Sequence, residues 1–381
     1  MRTGLLSVLA GAAVITGAHP AQAVTVQRTS FGKLSNGTQI DAVTLTNARG
    51  VSTRIITYGA TMQSLIAPDR AGRRADIALG FPNAAAYEHH GSYFGASVGR
   101  FANRIANGRF TLDGRAYQLA KNNNGVAALH GGERGFDKQV WRILNVTSGP
   151  AASVTMGLTS PHNDQGYPGT LTVTVTYTLD EKNDLKVDYR ARTDRPTIVN
   201  LTSHGLFNMA GEGAANDAMG NRLTILADRY TPVDANLIPT GVLTPVAGTP
   251  FDFRTPQLVK TRLRDGRDPQ IVLGRGYDHN YVLRGRSGGV PRLAARLDDP
   301  VSGRRMDILS DQPGIQFYSG NFIDGTTVSK SGKVYRMGDG VALEPQHFPD
   351  APNRPEFPSV RLDPGKEYRN VMIFRLSVAG R

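Results

Sequence analysis

The stretch TLTVTVTYTL sets Leu171, Val173, Val175, Tyr177 and Leu179 on alternate positions, with threonine at every position between them. Side chains alternate between two faces only in an extended chain, so a period of two specifies a strand with one buried and one solvated face. The turn-forming segment DEKND follows. LKVDYRAR then repeats the alternation, with Leu185, Val187, Tyr189 and Ala191 on one face and charged residues opposite. Two such runs joined by a short polar turn predict an antiparallel hairpin.

RFTLDGRAYQL predicts a second hairpin, because Asp113-Gly114 suits a tight turn that needs positive φ. No segment carries a sustained 3.6-residue period, while 43 glycines and 22 prolines punctuate the 381 residues throughout. The expected class is therefore all-β, a large antiparallel β-sandwich. A hydrophobic content of 39% is enough to fill a core of that size. No internal repeat and no linker-like tract divides the chain, so residues 24–381 are expected to form one domain.

Residues 1–23 read differently. Arg2 precedes an apolar run from Leu5 to Ile15, and Ala21-Gln22-Ala23 gives a small-x-small cleavage pattern, the layout of a signal peptide. The run is shorter than the roughly 20 residues that a membrane anchor needs. The expectation is an exported protein, periplasmic or extracellular, with no membrane association after cleavage. With no cysteine in the chain, stability there rests on packing rather than disulfides. The formal net charge of +12 raises nucleic acid as a partner. Its basic residues are scattered among turns such as 70–74 and 284–292, without interleaved aromatic residues, and read as solvated loops. His89-His90 has no third ligand at a recognisable spacing, so no metal site is expected.

Three residues stand out as candidates for proton chemistry. His130 lies in ALHGGERGFDKQVW, where Gly131 and Gly132 would let backbone approach a ligand closely. His204 ends the apolar segment IVNLTSH, and Glu344 follows Val341, Ala342 and Leu343 just before a proline-rich segment, where partial burial would raise its pKa. Each histidine fits a hydrogen-bonded structural role equally well. Asn103, Arg104, Asp278 and Gln316 sit in polar contexts that suit sugar hydroxyls, and each alone fits a solvated or salt-bridged residue.

Taken in order, VGRFANRIANGRF, LHGGERGFDKQVW, DQGYPGTL, NLTSHGLFNMAG, GYDHNYVL with PGIQFYSGN, and LEPQHFPDAPNRPEFPS resemble the galactose mutarotase (aldose 1-epimerase) family, over about Thr44 to Leu376. The resemblance implies a β-supersandwich with an open cleft for a free aldohexose. It implies that Glu344 is the base on the anomeric hydroxyl, that His204 is the acid at the ring oxygen, and that His130 assists. It also implies that Asn103, Arg104, Asp278 and Gln316 hold the sugar, and that no cofactor or metal takes part. One base and one acid suffice for ring opening and reclosure. Where the family often has Asn-His-Ser-Tyr-Phe-Asn, this chain has Ser203-His204-Gly205-Leu206-Phe207-Asn208. Pro345 replaces an expected threonine and would stiffen a loop after the base. Two other readings compete: a noncatalytic carbohydrate-binding protein on the same scaffold, and a glycoside hydrolase using Glu344 with Asp278.

Overall fold

The computed structural model describes residues 23–380, so the expected signal peptide lies outside the described residues except for Ala23. The predicted hairpin forms as read: strands Leu171–Asp180 and Asp184–Thr193 pair antiparallel, with Val175 opposite Tyr189 and Tyr177 opposite Val187. The alternating apolar residues are buried, and the hairpin lies within an antiparallel sheet of nine strands. The second hairpin, Arg109–Leu112 with Arg115–Gln118, turns at Asp113 and Gly114 with φ of 50° and 75°.

A six-stranded antiparallel sheet carries, side by side, Val341–Gln346, Gly314–Tyr318 and Asp278–Leu283. Its residues alternate too. Val341, Leu343, Ile315, Phe317, Tyr281 and Leu283 join one core cluster with Val187, Ile308, Met372 and Phe374 of the nine-stranded sheet. A five-stranded sheet adds Val43, Leu45, Ile55 and Leu65 to the same cluster. Each such side chain contributes roughly 1.5–3 kcal/mol when fully buried, so this interior dominates the stability of a chain without disulfides. Among the described residues, helix is confined to short segments such as Ala84–His90 and Pro269–Gly274.

Because one face of the six-stranded sheet is committed to the core, the residues between, including Asp278, Gln316 and Glu344, point to the other face. Glu344 thus owes its direction to Leu343 before it. Pro345 does not stiffen a loop as expected from the sequence. It lies inside Val341–Gln346 opposite Ile315, and the short strand on the other flank, Leu206–Phe207, pairs only with Ala342 and Val341. A proline is tolerated there because no second ladder runs beside it to demand an N–H. Its carbonyl accepts hydrogen bonds from Thr202 Oγ1 at 2.8 Å and Asn370 Nδ2 at 2.9 Å.

Candidate active site

The polar face of the six-stranded sheet floors a cleft of about 770 Å³, lined among others by Asn103, Arg104, His130, His204, Asp278 and Glu344. Glu344 is 2% exposed and His204 is 8% exposed, and Nε2 of the histidine stands 3.7 Å from Oε1 of the glutamate. That gap is too long for a direct hydrogen bond, yet two oxygens bonded to one carbon can meet both groups across it. His204 follows the two-residue strand Thr202–Ser203 and is fixed through its backbone, its N–H donating to the Ala96 carbonyl at 2.8 Å. Its ring is fixed by packing, edge-on to His130 at 5.1 Å and against Tyr93 at 5.6 Å.

Burial acts in opposite directions on the pair, because it favours the neutral form of each. It holds Glu344 well above the usual carboxylate range, reinforced by the Asp278 charge and opposed by Arg104. It pulls His204 down to about 4, opposed by its backbone hydrogen bond and by Asp278. With burial opposing both charges, a single proton held between Glu344 and His204 can reside on either, and the arrangement with it on His204 leaves Glu344 free to act as a base.

His130 sits at the end of the Ala127–Leu129 strand with φ of 50°, and Asn103 has φ of 66°. Left-handed backbone at non-glycine residues is costly and persists where surroundings over-determine it. Here the Asn103 N–H donates to His130 Nδ1 at 3.1 Å, and the His130 N–H donates to the Asn103 carbonyl at 3.1 Å. With Nδ1 accepting, the neutral ring carries its proton on Nε2 and is a donor there. Burial first, then the nearby His204, Arg104 and Lys138, push His130 well below the ordinary histidine range, so it serves as a neutral hydrogen-bond donor.

Gly131 and Gly132 do not open the backbone to a ligand, as the sequence suggested, but let the chain pack on itself. A Cβ on Gly131, at φ of 91°, would lie 1.8 Å from the Gly99 carbonyl oxygen, and one on Gly132 would lie 2.6 Å from Gln165 Oε1. Gly131→Ala is expected to destabilise the fold by roughly 3 kcal/mol or more. Urea unfolding monitored by tryptophan fluorescence checks this, with a midpoint within experimental error of wild type as the contrary result.

Asp278 is clamped. Its Oδ2 accepts from Arg104 Nη1 at 3.3 Å and its Oδ1 from Gln316 Nε2 at 2.7 Å, while Arg104 Nε donates to Asn123 Oδ1 at 3.0 Å. Gln316, 2% exposed, is absent from the cleft lining and backs Asp278 instead. Asp278→Asn, which keeps the shape and loses the charge, is expected to raise KM roughly tenfold while kcat stays within about threefold. Initial-rate kinetics distinguish this from a fall in kcat at constant KM.

Over residues 41–375 the chain matches the model of the aldose 1-epimerase family. The chain belongs to that family. Among aldose 1-epimerase relatives, it is similar to galactose mutarotase of Rattus norvegicus, 44% identical over 93% of this chain and 100% of that one. It is similar also to aldose 1-epimerase of Escherichia coli, 39% identical over 86% and 93% of the two chains. The solved structure of galactose 1-epimerase from Lactobacillus acidophilus superposes with a TM-score of 0.81 at 26% identity, covering 94% of this chain and 100% of that one.

The cleft of this aldose 1-epimerase family member also contains Tyr93, Tyr318, Phe322 and Arg275, which sequence reasoning did not single out, and the pair His89 and His90, which it weighed only as a metal site. Tyr93 packs on His130 at 4.5 Å and on His204 at 5.6 Å, so one ring positions both histidines. Phe322 stacks on Tyr318 at 6.1 Å near the rim, and Arg275 lies 5.6 Å from the Phe322 ring. None of these has a periodic or compositional signal. They become neighbours only through the pairing of distant strands and loops. Among the described residues, no cluster of three or more His, Cys, Asp or Glu side chains is placed to hold a metal ion.

Proposed function

We propose that the protein is an aldose 1-epimerase that interconverts the α and β anomers of free aldohexoses such as galactose or glucose. The observation that carries this is the approach of His204 Nε2 to Glu344 Oε1 at 3.7 Å in the cleft. Glu344 takes the proton from the anomeric hydroxyl as His204 gives one to the ring oxygen. The bond from C1 to the ring oxygen breaks, its electron pair stays on that oxygen, and C1 becomes an aldehyde. Rotation about C1–C2 presents the other carbonyl face. The ring hydroxyl then attacks C1, His204 recovers its proton, and Glu344 returns the other to the former aldehyde oxygen. No proton is gained or lost, so two side chains complete the cycle without a cofactor, each supplying typically 10²–10⁴ in rate.

His130 Nε2–H is available to the sugar or to charge developing on its oxygens. Asn103, Arg104 and Asp278 supply orientation, with Gln316 holding Asp278. The glycoside hydrolase reading is weaker because Asp278, the second carboxyl it needs, is held by Arg104 and Gln316. A noncatalytic binder would not require the facing acid and base. Polarimetry of freshly dissolved α-galactose and α-glucose tests the reading: the protein should accelerate the approach to equilibrium rotation for at least one of them. A rate equal to the spontaneous one for every aldose tried would overturn it.

Export is part of the same proposal. It rests on Arg2, the apolar run Leu5 to Ile15 and the Ala21-Gln22-Ala23 pattern. Sequencing the amino terminus of the protein recovered from the periplasm or medium should find it near Val24; recovery only in the cytoplasm with residue 1 intact would contradict export.

A further inference from the structure

Around the buried carboxylate lies a layer of amides that the proton exchange above does not use. In the six-stranded sheet Asn280 pairs with Gln316, and Gln316 with Glu344, so the three residues form one row across adjacent strands. In the next row Gly314 faces Gln346. Gln346 is two residues beyond Glu344 and Asn280 is two beyond Asp278, so all of them share the face that carries the cleft residues. Asn280 and Gln346 are 1% and 0% exposed. Among the described residues neither end of either carboxamide has a partner, and the same holds for Gln316 Oε1 and Glu344 Oε2.

The missing side chain at Gly314 matters here, since a Cβ there would lie 2.4 Å from Asn280 Oδ1 and 2.9 Å from Phe348 Cδ1. Glycine thus leaves room for the Asn280 amide to lean across the strand towards the Gln346 row. Buried amides are rarely left unpaired, because each unmet donor or acceptor has given up its hydrogen bonds to water without replacement. Two whole amides, an amide oxygen and a carboxylate oxygen, all polar and all inaccessible from outside, match what an internal water needs: two to four hydrogen-bonding neighbours.

We propose that Gln346 and Asn280 are positioning residues for Glu344, holding ordered water against its Oε2 while Oε1 faces the sugar. This rests on the assignment of Glu344 as the base. Water anchored by the amides donates to the carboxylate, favours its ionised form and fixes its plane. Without it, less of the shared proton resides on His204, the arrangement in which the pair can act. Removing the anchor should therefore lower kcat, leave sugar binding intact, and move the alkaline limb of the kcat profile upward, because Glu344 then gives up its proton less readily.

The test is the pH dependence of kcat and KM by polarimetry for wild type, Gln346→Met, Gln346→Asn and Asn280→Ala. Gln346→Met should lower plateau kcat about tenfold, raise the alkaline limb by about one pH unit and leave KM within twofold. Gln346→Asn should recover part of the loss, and Asn280→Ala should shift the limb in the same direction by less. An unchanged limb in both Gln346→Met and Asn280→Ala, or a change confined to KM, overturns the proposal. A wild type with no activity would instead overturn the epimerase reading itself, so the two failures are distinct.

Discussion

Glu344→Gln lowers kcat for anomer interconversion by at least about a hundredfold while the sugar still binds, because the amide preserves the shape of the side chain and cannot accept the anomeric proton. The loss is not one of folding. Glu344 is 2% exposed and burial already penalises its charge. An uncharged replacement of equal size removes that penalty, so the variant should unfold at the same denaturant concentration as wild type or higher. Polarimetric kcat together with calorimetric binding of galactose separates the two effects. A variant with turnover within a few-fold of wild type would mean that another group takes the proton.

His204→Asn should lose a similar factor, about a hundredfold or more, since asparagine can donate a hydrogen bond but cannot release a proton to the ring oxygen. The backbone N–H of residue 204 would still reach the Ala96 carbonyl, and Tyr93 and His130 would still wall the cleft. His130 does not rescue the function, because its Nδ1 is engaged by Asn103 and its surroundings keep the ring neutral. The pH profile carries a second signature. As pH falls towards about 4, His204 gains a proton while Glu344 keeps its own, and the doubly protonated pair has no base. At the alkaline end Glu344 loses the pair's last proton and no acid remains. Wild-type kcat should therefore hold a wide plateau between the two limbs, whereas the residual kcat of His204→Asn, with Glu344 alone left to ionise, should rise with pH and lack the alkaline limb.

Much of this was legible in the sequence because strands write their geometry as a period of two. The run from Leu171 to Leu179, its partner from Leu185 to Ala191, and the Asp113-Gly114 turn each appear where the pattern puts them. Glu344 and His204 were recognisable from their motifs. Their approach was not derivable from local pattern, since a short strand end and a sheet centre are brought together only by tertiary packing. The motif glycines misled for a related reason: a sequence shows that Gly131 is needed, not that its neighbour is the Gly99 carbonyl. Pro345 misled because proline usually marks a loop, whereas here the flanking strand is too short to need its N–H. Arg100, embedded in the same motif as Asn103 and Arg104, shows that motif membership does not specify role. It is 2% exposed and donates to the carbonyls of Pro168 and Gly169, both at 2.8 Å, so it ties the DQGYPG segment to the scaffold.

The central claim is that Glu344 and His204 act as one unit on one sugar, and a double-variant cycle tests it most directly. Polarimetric kcat would be measured for wild type, Glu344→Gln, His204→Asn and the variant carrying both. Two groups that exchange protons with the same hemiacetal in one step should show grossly non-additive losses, the double variant being no slower than about the worse of the singles. Losses that multiply, each substitution costing its full factor in the presence of the other, would mean that the two residues work independently, and the paired-proton account would fail.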